Sequence, residues 1–245
     1  MTDGYIELHA ASAFSFLEGA SQPEDLIERA AELQMPAIAL LDRNGIYGAA
    51  RFHTAAVRAG VAAHIGAEIA VADFGPRMMP AAWLPMQRIS EPSRLPLLCT
   101  FRTGYQNLCQ LITTFKLREP NKGEGAATLD DLEQYAEGLV CLTGGDEGPL
   151  AAALMGGGEE AGRRLVDQLI AIYGHENVYI ELQRHHEREE EWRNQPHYAL
   201  RDHCAYPCWQ PMACATPRPT TARSSTSSLQ LAIKPSWIVP DACLR

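Results

Sequence analysis

An α/β barrel is the fold this sequence predicts, and two observations carry the prediction. Over the first 195 residues, strand-like and helix-like segments alternate, as a sheet joined by crossover helices requires. Several such units fit within 245 residues, which favours a barrel over a sandwich.

The elements follow in order. Tyr5 to His9 reads as the first strand. Ser21-Gln-Pro-Glu24 combines an N-cap, an early proline and a capping-box acid ahead of a helix from Asp25 to Leu33, with Leu26, Ile27, Ala30 and Leu33 on one face. Ala37 to Leu41 is an unbroken apolar run, as in a strand covered on both faces. A short helix from Arg51 to Ala59 ends at Gly60, and a strand from Val61 to Val71 follows. The stretch Pro76 to Pro96 holds five prolines and reads as an irregular surface excursion. Leu97 to Thr100 is the next strand, and Thr103-Gly-Tyr-Gln106 caps a helix that turns Leu108, Leu111 and Ile112 inward. After a polar loop from Glu119 to Ala127, Thr128-Leu-Asp-Asp131 starts another helix and Leu139 to Leu142 forms a strand. Glu159 to Tyr173 is helical with Leu165, Leu169 and Ile172 on one face, Val178 to Leu182 is the last strand, and Glu187 to Asn194 begins a charged helix. Gly144-Gly145 and Gly156 to Gly158 read as loop or helix-boundary glycines.

Composition excludes several classes. Hydrophobic residues at 46% place the chain among globular proteins, and no run approaches the roughly 20 apolar residues that span a bilayer. A cytoplasmic protein is expected. The net charge of −9 opposes sequence-independent binding to a phosphate backbone, which depends on basic surface, so no direct DNA binding is expected. Seven cysteines form no paired secretory framework; Cys99, Cys109 and Cys141 lie in apolar surroundings and are expected as buried free thiols. His203, Cys204, Cys208 and Cys214 match no zinc-site spacing, and neither a phosphate-binding glycine loop nor a Gly-x-Ser-x-Gly elbow is present.

Three segments carry a resemblance. Tyr5-Ile-Glu-Leu-His9, then Ser12-Ala-Phe-Ser-Phe-Leu-Glu-Gly-Ala-Ser21, then Leu40-Leu-Asp-Arg-Asn-Gly-Ile-Tyr-Gly48 resemble the opening of the polymerase and histidinol phosphatase (PHP) domain of bacterial C-family DNA polymerases, most closely the error-prone alpha-subunit type. The resemblance covers about residues 5 to 195. It implies a distorted (β/α)7 barrel, incomplete here at its C-terminus, with histidines and acids at the C-terminal mouth holding metal ions for phosphoester hydrolysis.

Residue by residue, that implied site is degraded. His9 stands at the first ligand position, but the second histidine of the His-x-His motif is Ala11. Glu18 and Glu68 match acidic ligand positions, and each has an alternative reading: Glu18 as a solvated turn acid, Glu68 as a buried acid paired with Arg43. Where the family often has Thr-Asp-His, this chain reads Leu41-Asp42-Arg43; Asp42 is retained behind the ligands, while the guanidinium of Arg43 cannot bind a metal and is expected on Glu18, Asp42 or Glu68. His185 or His186 falls where a further histidine is expected, with a solvated helix start as the alternative. His9, Glu18, Glu68 and His185 are therefore vestigial ligands, with zinc or manganese/magnesium held weakly or not at all.

The final segment, 196–245, differs in kind. It contains no glutamate, yet holds seven of the sixteen prolines and four of the seven cysteines. It reads either as a Ser/Thr/Pro tail that cannot form a core or as out-of-frame translation. The genetic code favours the second: shifting the frame at Met212-Ala213 forces a glycine, and the codons from Gln210 to Thr216 permit Thr-Asn-Gly-Val-Cys-Tyr-Ala, similar to a segment of the error-prone polymerases. The expected organisation is thus a PHP domain at 1–195 and an aberrant tail at 196–245. The expected function is that of a structural module from a polymerase of DNA replication and damage-tolerant synthesis, whose partners are the polymerase core and other DNA-synthesis factors. A metal-dependent phosphoesterase or 3′–5′ exonuclease is the alternative, and a module docking an accessory factor is a third reading.

The frame reading has a direct check in the gene. The shifted frame near codon 195 should stay open and encode a polymerase-like continuation starting close to Thr-Asn-Gly; an early stop codon there contradicts it.

Overall fold

Residues 5–72, 74, 92–121 and 125–181, with the backbone of 208–209, are described by a computed structural model of the chain. Strands β1 (Glu7–Ala10), β2 (Ala37–Arg43), β3 (Ala62–Val71), β4 (Ser93–Cys99), β5 (Leu139–Leu142), β6 (Val178–Glu181) and β7 (Cys208–Trp209) form one sheet in sequence order. The first six curl into a half-barrel, and β7 pairs with the β6 edge. The helices are α1 (Pro23–Glu32), α2 (Ala49–Ala59), α3 (Arg102–Arg118), α4 (Leu129–Gln134) and α5 (Pro149–Tyr173). The remainder of the 196–245 tail and the expected helix at Glu187 to Asn194 lie outside the described residues.

The sheet's two faces explain the hydrophobic pattern. The concave face buries Ile6, Leu8, Ala37, Ala39, Leu41, Leu98, Val140 and Leu142 inside the half-barrel. The convex face of β3, β4 and β5 packs Ile69, Leu95, Leu97 and Cys141 against Leu108, Leu111 and Phe115 of α3 and Leu165, Val166 and Leu169 of α5. Ile38 and Leu40 meet Ile27 and Ala30 of α1 and Phe52 and Ala56 of α2. Residues of β2 are apolar in succession because both of its faces are covered.

Several expected boundaries move. The α1 N-cap is Gln22, one residue later than expected, and Asp25, not Glu24, reaches back to its N–H at 3.1 Å. Leu33 lies beyond that helix and is half exposed. Helix α3 begins at Arg102, so Thr103 is not its cap. Helix α5 begins ten residues before Glu159, at Pro149; Gly158 at φ 66° and ψ −162° kinks it, a conformation open to glycine, so the glycine triplet interrupts a helix without ending it. Gly60 ends α2 in the left-handed region as expected. Cys99 and Cys141 are buried thiols, whereas Cys109 is only partly so.

The largest difference concerns β4. Its first residues, Ser93 to Pro96, fall in the stretch expected to be an irregular excursion, and the strand runs antiparallel to both β3 and β5. The sheet is therefore mixed, not all parallel. Pro96 is tolerated because the ladder to β3 does not need its missing N–H: Arg94, two residues earlier, donates its backbone N–H at 2.9 Å to Glu147 O, away from β3. Antiparallel direction places the start of β4 level with the C-terminal ends of β1, β2, β3, β5 and β6.

Helix α4 is capped by Thr128, whose side chain accepts the Asp131 N–H at 3.3 Å while Asp131 accepts the Thr128 N–H at 2.8 Å. Arg118 grips the same carboxylate with a two-pronged contact of 2.9 and 2.6 Å. The Arg118 hydrogen bonds hold the Asp131 carboxyl below its ordinary range against the opposing effect of burial. That contribution is complete above about pH 4 and is lost as pH falls through the lower folded value. Asp131→Asn should therefore lower the urea midpoint at pH 7 and converge on the parent protein near pH 2; a gap unchanged with pH removes the carboxylate from the account.

Candidate functional site

The strand ends assemble a charged cluster at the half-barrel mouth. A register shift between Glu7 and Ala10 in β1 turns His9 toward it, and the buried Glu7 carboxylate accepts the His9 N–H at 2.9 Å. His9 Nδ1 lies 2.7 Å from Glu181 Oε1 at the end of β6, and its Nε2 lies 3.5 Å from Glu68 Oε1 on β3. Glu181 is in turn held by its own N–H, which donates to Thr143 Oγ1 at 2.9 Å.

Asp42 anchors the loop after β1. Its carboxylate, 1% exposed, accepts the Ser12 N–H at 2.9 Å, the Ser12 hydroxyl at 2.8 Å and the Ser15 hydroxyl at 3.0 Å. Ser15 Oγ also accepts the Arg43 N–H at 3.0 Å, which ties the loop to the end of β2. The turn needs Leu17 at φ 66° and leaves Phe16 and Leu17 exposed, while Glu18 folds back over the mouth.

Two guanidinium groups meet Glu18 there. Arg43 Nη1 and Arg94 Nη2 lie 2.9 and 2.8 Å from the same oxygen, Glu18 Oε1. Arg94 Nη1 is 3.6 Å from Glu68 Oε2 and also pairs with Glu147, in the loop after β5. Burial would lower the His9 pKa, but Glu181 and Glu68 outweigh it and hold the imidazole well above its ordinary value, as an imidazolium at neutral pH. For Glu68, burial is likewise the largest influence, yet His9, Arg94 and Arg43 keep it below the usual carboxylate range.

This donor set does not fit a divalent metal. Both His9 ring nitrogens face carboxylates, Nδ1 toward Glu181 and Nε2 toward Glu68. A guanidinium offers donors only, and Arg94 stands among the acids a cation would use. Among the described residues, no three His, Cys, Asp or Glu side chains are arranged to hold a metal ion.

Of the residues singled out from sequence, the fold brings His9, Glu18 and Glu68 together and sets Asp42 behind them as a loop anchor. Arg43 is found on Glu18, one of its three expected partners, and Glu68 contacts His9 and Arg94. His185 and His186 lie outside the described residues. Sequence reasoning passed over Arg94, Glu147 and Glu181. Glu181 had a signal, the last residue of a strand at the end where α/β sites form. Arg94 had none, since it sits in a proline-rich run.

Comparison with known proteins supplies the context. The family model for the PHP domain matches residues 7–185. An error-prone DNA polymerase from Mycolicibacterium paratuberculosis is 37% identical over 195 residues, covering 78% of this chain and 17% of that protein. One from Anaeromyxobacter sp. (strain K) is 40% identical over 158 residues, covering 61% of this chain and 13% of that protein. The chain thus spans less than a fifth of the length of these curated relatives. In structure, an amidohydrolase from Chromobacterium violaceum aligns with a TM-score of 0.50 and 15% identity over 84% of this chain and 85% of the other, a likeness of fold.

The imidazolium carries its own test. Removing it leaves Glu181 and Glu68 without their shared cation, so His9→Ala should cost about 3 kcal/mol in urea denaturation at pH 6. Because the folded pKa is raised, this stabilisation is fully present below about pH 6.5 and fades as pH rises through the folded value, so the gap between variant and parent should narrow in alkaline buffer. A gap that widens with pH contradicts the assignment.

Proposed function

The chain belongs to the PHP domain family, and from that premise we propose that it serves as a structural module of an error-prone DNA polymerase acting in replication and damage-tolerant synthesis. The kinship with error-prone polymerases across most of the chain supports this reading. One observation separates it from the phosphoesterase reading: the Arg94 guanidinium lies among Glu18, Glu68 and Glu147 at the mouth, where hydrolysis by this fold would require a Lewis acid.

The module's work is then to present the folded half-barrel to the rest of the polymerase. Its acidic balance, −9 overall, suits contact with protein better than with a phosphate backbone. Its partner is the polymerase core, and the mouth is a cross-link between strand ends.

Two measurements test the proposal together. The purified chain should bind a separately supplied error-prone polymerase core in a pull-down, and with added Mn²⁺ or Zn²⁺ it should release no product from a phosphodiester or from single-stranded DNA ends. Metal-dependent turnover that His9→Ala abolishes would overturn it in favour of the enzyme.

A further inference from the structure

Arg94 joins acids from three separate parts of the chain. Its exposure is 9%, and it issues from β4. The acids around it come from three other places: Glu18 from the loop after β1, Glu68 from β3, and Glu147 from the loop after β5. The main chain adds to this, because the Arg94 N–H donates to Glu147 O at 2.9 Å. Arg43, from the end of β2, shares the Glu18 oxygen but is far more exposed, at 38% of its side chain against 10% for Arg94.

A guanidinium is suited to this position. It keeps its charge at any working pH and spreads five N–H donors in a plane, so one group can satisfy several carboxylates at once. Divalent cations are the other chemistry that gathers carboxylate oxygens in this way. With neither present, Arg43 and His9 would still meet Glu18 and Glu68 singly, but no one group would bridge the three acids, and their like charges would repel across the partly buried mouth.

We propose that Arg94 is a resident cation, covalently attached to β4, that closes the barrel mouth in place of a divalent ion. The chain as it stands should take no divalent ion at the mouth. Removal of the guanidinium should make its stability depend on one. The proposal stands whether or not the chain docks on a polymerase core, because it concerns the mouth alone and its test uses no DNA and no second protein.

The test is thermal denaturation of the full 245-residue chain and its Arg94→Ala variant, with Mn²⁺ or Mg²⁺ as the probe and NaCl of equal ionic strength as the control. Elemental analysis after gel filtration accompanies it. Arg94→Ala should melt about 10 °C lower without divalent ion, and millimolar Mn²⁺ should restore at least half of that loss. The parent should neither shift with Mn²⁺ nor retain it. Arg94→Lys, which keeps one charge without the fork, should lose less and respond little to the ion. Should Arg94→Ala prove insoluble, its refolding yield with and without Mn²⁺ reads the same property, and recovery supports the proposal. Stoichiometric Mn²⁺ in the parent, an Arg94→Ala variant that melts with the parent, or one that gains nothing from Mn²⁺ in either assay overturns it.

Discussion

A buried guanidinium cannot discard its proton, so the structure around Arg94 must supply negative charge or fail to bury it. That constraint organises the mouth of the half-barrel. Glu18, Glu68 and Glu147 converge from three segments to meet one group, and Arg43 and His9 share two of those acids. The cluster is therefore a network whose members hold one another's charge states. His9 stays protonated because Glu181 and Glu68 flank it, and Glu68 stays ionised despite burial because His9 and the two arginines face it.

The direction of β4 makes this network geometrically available. In a barrel whose strands all ran parallel, the first residues of a strand would lie at the opposite end from the functional mouth. Because β4 runs against β3, its second residue sits level with Ala70, beyond Glu68 and near the end of β3. Arg94 and Glu68 then occupy the same concave face two positions apart. A side chain expected in a solvated excursion becomes the most buried cation among those in the mouth.

A second network holds the loop over the mouth without joining it. Asp42 collects the hydroxyls of Ser12 and Ser15 and the Ser12 N–H, all buried, so its carboxylate is satisfied by neutral donors. The resemblance placed Asp42 behind a ligand set. In the fold it stands behind Arg43 and Glu18, and its role is mechanical: it fixes the turn from which Glu18 reaches the arginines. The same turn leaves Phe16 and Leu17 at the surface.

The sequence by itself determined the strand-helix alternation, the stops at Gly60, the cap at Thr128 and the apolar face of α3, because these depend on neighbours within one or two turns of chain. It also determined that Ala11 and Arg43 offer no lone pair, which is a property of the side chains alone. Tertiary structure decided which charges meet. His9 and Glu181 are 172 positions apart, and Arg43 and Glu18 are 25 apart, separations over which local periodicity carries no information. The reversal of β4 was illegible for a related reason: prolines at 92 and 96 argue against a strand unless the N–H they lack points away from β3 and lies outside the β5 ladder, as it does at Pro96. That orientation exists only once β3 is in place, so the identity of the cation in the mouth belonged to the fold and not to any segment of it.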